Sequence, residues 1–429
     1  MFDVLKNAWA LFLGMLLLMV GNGLQGSLIG IRGNIEEFST GELSIITSAY
    51  FAGFLIGSKL APEMIRRVGH VRVFAALGSF ISAVLILYPT VTDPWAWVFF
   101  RVIFGFSFSG VYVTAESWLN NASTNENRGK ALSLYMITQM SGIIIAQGLL
   151  NVADPGGFIL FVIPSVLVSL SFAPILLTAT QTPTFDTTKA MSLLQLYRSS
   201  PTGIVGMFIM GGIFSAQFGM ASVYGTVAGF SVAEISLFIS AIFMGGLFFQ
   251  FPVGWVSDRM DRRVLILSGA ILGALAGIIG FVGSGVFEAV LVAGFLMGGV
   301  SNPLYALLIA YTNDFLAVED MASASGGLMF VNGVGAILGP VITGYAMGLL
   351  GPGGFWVFMG LLMAIFAVYI GWRMTQRPSP YVQEDDYDAV AYAPVLATST
   401  AVAIEAAQEF YAENVDTDES NDPKTDVTP

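Results

Sequence analysis

Twelve apolar stretches, each long enough to cross a lipid bilayer, leave this 429-residue chain few folds to choose from. They fall at about residues 8–31, 42–61, 72–91, 95–118, 131–150 and 158–179, then at 202–223, 233–253, 264–283, 287–311, 322–349 and 355–373. A spanning backbone must satisfy its own hydrogen bonds, which only helices and closed barrels achieve. Barrel strands need about 10 residues and spanning helices about 20, so runs of this length are helices. Composition agrees: the chain is 55% hydrophobic and 11% charged, where soluble domains carry about a quarter charged residues. The first run is longer than the apolar core of a cleaved signal, and is expected to stay as a first helix.

An even number of spans returns both termini to one side. Lys6, Arg66, Arg67, Arg72, Arg128, Lys130, Lys189, Arg198, Arg259, Arg262, Arg263, Arg373 and Arg377 fall on the face shared with the termini, and Arg32 on the other. The positive-inside rule therefore puts both termini in the cytoplasm. The net charge of −12 says little about the membrane part. Residues 375–429 hold 12 acids against Arg377 and Lys424, so the rest is within two charges of neutral. Nothing in that balance points to nucleic acid.

Four segments follow: an N-terminal six-helix bundle (1–179), a linker (180–201), a C-terminal six-helix bundle (202–374) and a tail (375–429). The linker is the longest polar interruption before the tail. Its part from Met191 to Tyr197 is compatible with a short surface helix, although its composition favours a plain tether. Pro378-Ser379-Pro380 ends the last helix, and the acidic tail beyond is expected to be disordered.

The halves repeat one another. Arg67 and Arg259 are related by an offset of 192, as are Gln25 and Gln217; Met136, Gln139 and Gly142 match Met329, Asn332 and Gly335 at 193. One offset held from end to end implies parallel repeats about an axis along the membrane normal, with a site between them near the midplane.

The stretch Gly254-Trp255-Val256-Ser257-Asp258-Arg259-Met260-Asp261-Arg262-Arg263 resembles the G-x-x-x-D-R-x-G-R-R loop of the major facilitator superfamily, with Asp261 in place of the second glycine. A weaker copy runs from Pro62 to His70, where Pro62 replaces the opening glycine and Arg66 the aspartate. Arg101-Val102-Ile103-Phe104-Gly105 resembles the family's R-x-x-x-G motif, and Gly333 to Pro340 its glycine- and proline-rich pattern. Glu116-Ser117-Trp118-Leu119-Asn120 is similar to an uncharacterised branch of small bacterial permeases. The resemblance covers about residues 1–374. It implies an all-α integral membrane protein with twelve transmembrane helices in two six-helix pseudo-symmetric bundles, monomeric, in a bacterial inner membrane. It also implies transport of a small-molecule substrate by alternating access.

Within that frame the charged loops are expected to latch the cytoplasmic face. Asp258 would face Arg128 and Lys130 at the start of the fifth span, with Arg259 next to it in the same loop as a further gate residue. Arg66 and Arg67 would meet Glu319 and Asp320, with Arg262 completing the gate. The cavity candidates are Asn22, Gln25, Arg101, Tyr112, Gln139, Gln217, Asn302 and Asn332. A polar group in hydrocarbon is costly, so each faces either a neighbouring helix or a wet cavity, and the sequence leaves both open. Arg101 is read equally as a cavity cation or as a structural arginine bonded to carbonyls. Glu116 is either a proton carrier, raised by burial, or a partner of Arg66, Arg67 or Arg128. Coupling to protons is left open, as are an uncoupled facilitator and a non-transporting sensor acting through the tail. The substrate is expected to be a small neutral, zwitterionic or singly anionic solute, or a drug-like compound. With no cysteine and one histidine, His70, no metal centre, cofactor site or catalytic pair can be assembled, and no enzyme is expected.

Overall fold

The computed structural model describes residues 2–122, 125–177, 191–257, 259–316 and 318–376, with side chains outside 2–8, 120–130, 132–133, 175–177, 318–319 and 322. The linker residues 178–190, Asp258 and the tail from 377 lie outside the described residues. Everything that is regular among them is helix. The first bundle is α1 (Phe2–Ile35), α2 (Thr40–Val68), α3 (His70–Leu87), α4 (Pro94–Ala122), α5 (Asn125–Leu149) and α6 (Ile159–Leu177). After the short α7 (Leu193–Ser199), the second bundle opens with one interrupted span: α8 (Pro201–Ser215), a π-helical turn (Ala216–Met220) and α9 (Ala221–Val227). It continues with α10 (Val232–Ser257), α11 (Arg262–Val282), α12 (Phe287–Asn313), α13 (Val318–Leu350) and α14 (Gly354–Gln376). These are the twelve spans, most running past the apolar stretch by a turn or more at one end.

The repeat is visible in the local chemistry. Ser39 caps α2, and Glu42 reaches back to its amide; Ser231 and Glu234 do the same for α10, 192 residues on. Such reciprocal caps satisfy amides that the helix leaves open. The tightest crossings repeat as well. A Cβ at Gly53 would overlap the Val102 carbonyl, and one at Gly105 the Tyr50 carbonyl, so α2 and α4 touch backbone to backbone. Gly245 on Phe295 and Gly298 on Ile242 give α10 and α12 the same crossing. Gly142 meets the Leu16 carbonyl as Gly335 meets that of Phe208, joining α5 to α1 and α13 to α8. Small residues at such crossings let helices approach in a membrane, where dispersion contacts must hold them. The Gly333 to Pro340 run acts in this way: Gly335 and Gly339 pack on α8, and Gly333 on Leu55 of α2.

The segment expected as a tether carries a helix instead. Ser192 and Gln195 form a capping box on α7, the Met191 amide donates to the Ser323 carbonyl at 2.9 Å, and Leu196 is fully buried against Gly327. The residues after the first part of the linker therefore dock on the start of α13.

Candidate functional site

Four helices of the first bundle bring polar side chains to one point. Gln25 of α1, Tyr50 of α2, Tyr88 at the end of α3 and Arg101 of α4 are fully buried. Arg101 Nη1 donates to Gln25 Oε1, and the guanidinium lies 5.1 Å from the centre of the Tyr50 ring. One turn closer to the termini on α1, Asn22 Nδ2 donates to the Tyr112 hydroxyl at 3.5 Å, and that hydroxyl donates to Met19 Sδ at 3.0 Å. The helical face expected from residues 101, 105, 108 and 112 is present, with Phe108 and Tyr112 ring centres 6.1 Å apart. Gly105 is the position on it that admits the α2 backbone.

The second bundle answers with amides. Gln217 Nε2 donates to Ser301 Oγ at 3.1 Å, and Ser301 Oγ lies 3.2 Å from Gln217 Oε1. Gln25 and Gln217 thus both reach from the first span of their bundle to the fourth. Asn332 donates to the Met207 carbonyl at 3.0 Å and ties α13 to α8, while Asn302 donates back to Gly298 of its own helix at 3.2 Å. Gln139 is buried on α5 and makes no hydrogen bond among the described residues. Of the eight cavity candidates, the structure gathers Asn22, Gln25, Arg101 and Tyr112, pairs Gln217 with Ser301, and uses Asn302 and Asn332 in helix packing.

Sequence reasoning missed two features. Tyr50 and Tyr88 looked like ordinary core aromatics, since no local pattern marks a tyrosine that faces a buried arginine. The π turn is equally silent in sequence, because the apolar pattern runs through it unbroken. Such turns insert one residue into a helix and are frequent at functional sites. This one carries Gln217 and Phe218. The Phe218 ring lies 5.8 Å from that of Tyr50 and packs on Gly26, and Gly219 packs on Thr47, so the turn meets the first bundle directly.

The seam between bundles is built from α2 against α13, α5 against α10, and α1 against α9 and the π turn. On the side away from the termini it is pinned by polar contacts. Ser48 Oγ donates to the Ile337 carbonyl at 2.5 Å, Ser236 Oγ to the Gln147 carbonyl at 2.6 Å, and Asn151 Nδ2 to Ser236 Oγ at 3.1 Å. Gly344 lies against Ser44, and Gly30 against Ser222. Nearer the termini the seam carries Leu55 on Gly333 and the Lys59 ammonium 4.2 Å from the Phe330 ring centre.

Two turns further, those of the expected latch residues whose side chains are described make contacts within their own bundle or face solvent. Arg66 and Arg67, 68% and 73% exposed, pair with Glu63 of their own helix, and Asp320 is exposed. Glu63 is the i−3 and i−4 neighbour of these two arginines, a spacing that puts the three side chains on one face of α2. Arg262 pairs with Asp314 inside its own bundle, where burial pushes the Asp314 carboxyl up against the pull of Arg262. Arg259 turns back on Trp255, 4.2 Å from the ring centre, and bonds its carbonyl. The side chains of Arg128, Lys130 and Glu319, like Asp258, lie outside the described residues. Glu116 is buried and accepts a hydrogen bond from the Tyr135 hydroxyl at 3.2 Å; the adjacent Ser117 bonds His70 Nε2 at 3.0 Å.

Comparison with known proteins agrees with this architecture. The family model described as Major Facilitator Superfamily matches residues 11–245 and 204–407. The uncharacterized MFS-type transporter YcaD of Escherichia coli O6:K15:H31 is 26% identical over 339 residues, covering 78% of this chain and 87% of the relative, and YcaD of strain K12 / DH10B matches to the same extent. Among solved structures, the nucleoside transporter NupG superposes with a TM-score of 0.70 at 15% identity, over 86% of this chain and 99% of NupG. A bacterial homolog of the human lysosomal transporter Spinster, in an inward-facing and unoccupied conformation, gives 0.66 at 15% identity, over 96% and 98%. The chain belongs to the major facilitator superfamily of membrane transporters.

Proposed function

We propose that this protein is a secondary transporter that carries a small organic solute by alternating access, and that it stands here with its cavity open to the face bearing the termini. The observation that carries this reading is the uneven seam. Serine-to-carbonyl contacts hold the bundles together on the far side, while on the other face Arg66, Arg67 and Asp320 are exposed and the two arginines pair within their own helix. The excess of arginine and lysine on the open side makes it the cytoplasmic one. Rocking the bundles about the π turn would bring Arg66 and Arg67 to Asp320 and part the serine contacts. Gln25 and Gln217, paired across the pseudo-twofold axis, belong to the central site, with Asn22, Arg101 and Tyr112 beside them. A small area of charge-assisted contacts at the inner face suits a gate, since exposed ion pairs are worth only about 0–1 kcal/mol and open readily.

The test is solute exchange. Proteoliposomes carrying the full chain are loaded with a mixture of small metabolites and diluted into unlabelled mixture, and the lumen is analysed by mass spectrometry. At least one solute should leave faster than from protein-free vesicles. Equal loss of every solute from both would contradict transport.

A further inference from the structure

Resting on the transport reading above, we propose that the Arg101 pocket binds the carboxylate of a singly charged amphipathic substrate, with Arg101, Tyr50, Tyr88 and Gln25 as its donors. Several polar groups around Arg101 are left unsatisfied. Arg101 Nε and Nη2, the Tyr50 and Tyr88 hydroxyls, Gln25 Nε2 and Asn22 Oδ1 are all buried and make no hydrogen bond of good geometry, although the Tyr88 hydroxyl approaches Arg101 and Gln25 and the Tyr50 hydroxyl approaches Asn22. A buried polar atom without a partner costs about 1–3 kcal/mol, more when charged. Six such atoms on five neighbouring side chains are too many for plain helix glue. Nor is the charge balanced: the ionisable groups acting on Arg101 are Tyr50 and Tyr88, the latter through a weak hydrogen bond as well, with no carboxylate among them.

The chemistry of the vacant positions selects the ligand. Guanidinium nitrogens and the Gln25 amide nitrogen only donate, and both hydroxyls can. A cluster rich in donors and holding one fixed positive charge fits an acceptor with one negative charge. A planar carboxylate matches the guanidinium fork with two parallel bonds. A dianion would leave one charge uncompensated in a low-dielectric site, which is expensive. The surroundings add a second criterion. Phe54, Phe104 and Phe108 line the face beside Tyr50 and Tyr112, and Phe218 closes it from the other bundle. The ligand therefore has an apolar body next to its carboxylate. Tyr50 stands between Arg101 and Phe218, so its ring is the part that must swing for the carboxylate to enter, and that movement reaches the π turn.

Thermal unfolding of the purified full-length protein tests this with benzoate and hexanoate, their amides benzamide and hexanamide, and the dianion succinate. The two monocarboxylates should raise the midpoint at millimolar concentration, and the amides and succinate should not. Arg101→Gln should abolish the rise while melting no lower than the parent without ligand, because it removes an uncompensated buried charge. Tyr88→Phe, which keeps the bulk and deletes one donor, should weaken the apparent affinity for benzoate about tenfold. The proposal is overturned if no monocarboxylate stabilises the parent, if the amides do so equally, or if either variant keeps the parent affinity. These results separate from those on transport: carboxylate binding without solute exchange would refute the transporter and leave the site. Exchange confined to neutral solutes would refute the site and leave the transporter.

Discussion

Valine at Gly53 should remove most of the folded protein, and valine at Gly245 should do the same. In each case the new side chain would be driven into a backbone carbonyl, Val102 or Phe295, which no rotamer change can relieve. Overpacking of a well-filled interior costs about 1–3 kcal/mol where side chains can yield. Here two spans would have to separate along their closest contact, so the upper end or beyond is expected. The matching control is Gly371, on α14, where nothing lies within 4 Å of an added Cβ. Size-exclusion of membrane extracts would compare the three: loss of the monodisperse peak for Gly53→Val and Gly245→Val, and retention for Gly371→Val. Normal yield from either bundle's variant would show that the α2–α4 and α10–α12 crossings are looser than described.

The second large effect concerns the far seam. The chain has no cysteine, so a pair introduced at Asn151 and Ser236 is the only thiol pair present. The two side chains touch at 3.1 Å across the bundles, so thiols at these positions lie within reach of each other or of a short bifunctional thiol cross-linker. Oxidation should lock α5 to α10, and solute exchange in proteoliposomes should fall at least tenfold. Reductant should restore it. A bond that forms in full and leaves exchange untouched would mean that the far seam need not open.

Much of this fold was legible in the sequence because a membrane imposes length on every span. The offset of 192 to 193 reappeared in the caps at Ser39 and Ser231 and in the glycine crossings, since a duplicated bundle repeats its packing along with its residues. The site was legible only in part. Arg101, Gln25, Asn22 and Tyr112 stood out because polar groups are scarce in apolar spans. Tyr50 and Tyr88 did not, because an aromatic residue in such a span is ordinary until its hydroxyl is seen to lack a partner. The residues expected to form a latch were chosen by charge, and charge does not reveal which conformation a chain adopts. Arg66 and Arg67 turned to Glu63 on the same helix, a local partner that the motif comparison passed over. Arg262 found Asp314, whose distance along the chain gave no hint of the contact.

Alternating access, as proposed, requires that opening one face closes the other. Spin labels at Arg66→Cys and Asp320→Cys, both on exposed ends, report the inner face, and Ser44→Trp drives a wedge into the far seam beside Gly344. The distance between the labels, measured by pulsed electron paramagnetic resonance with and without the wedge, should shorten when the far side is forced apart. An inner distance that stays the same or lengthens with the wedge in place would contradict the account.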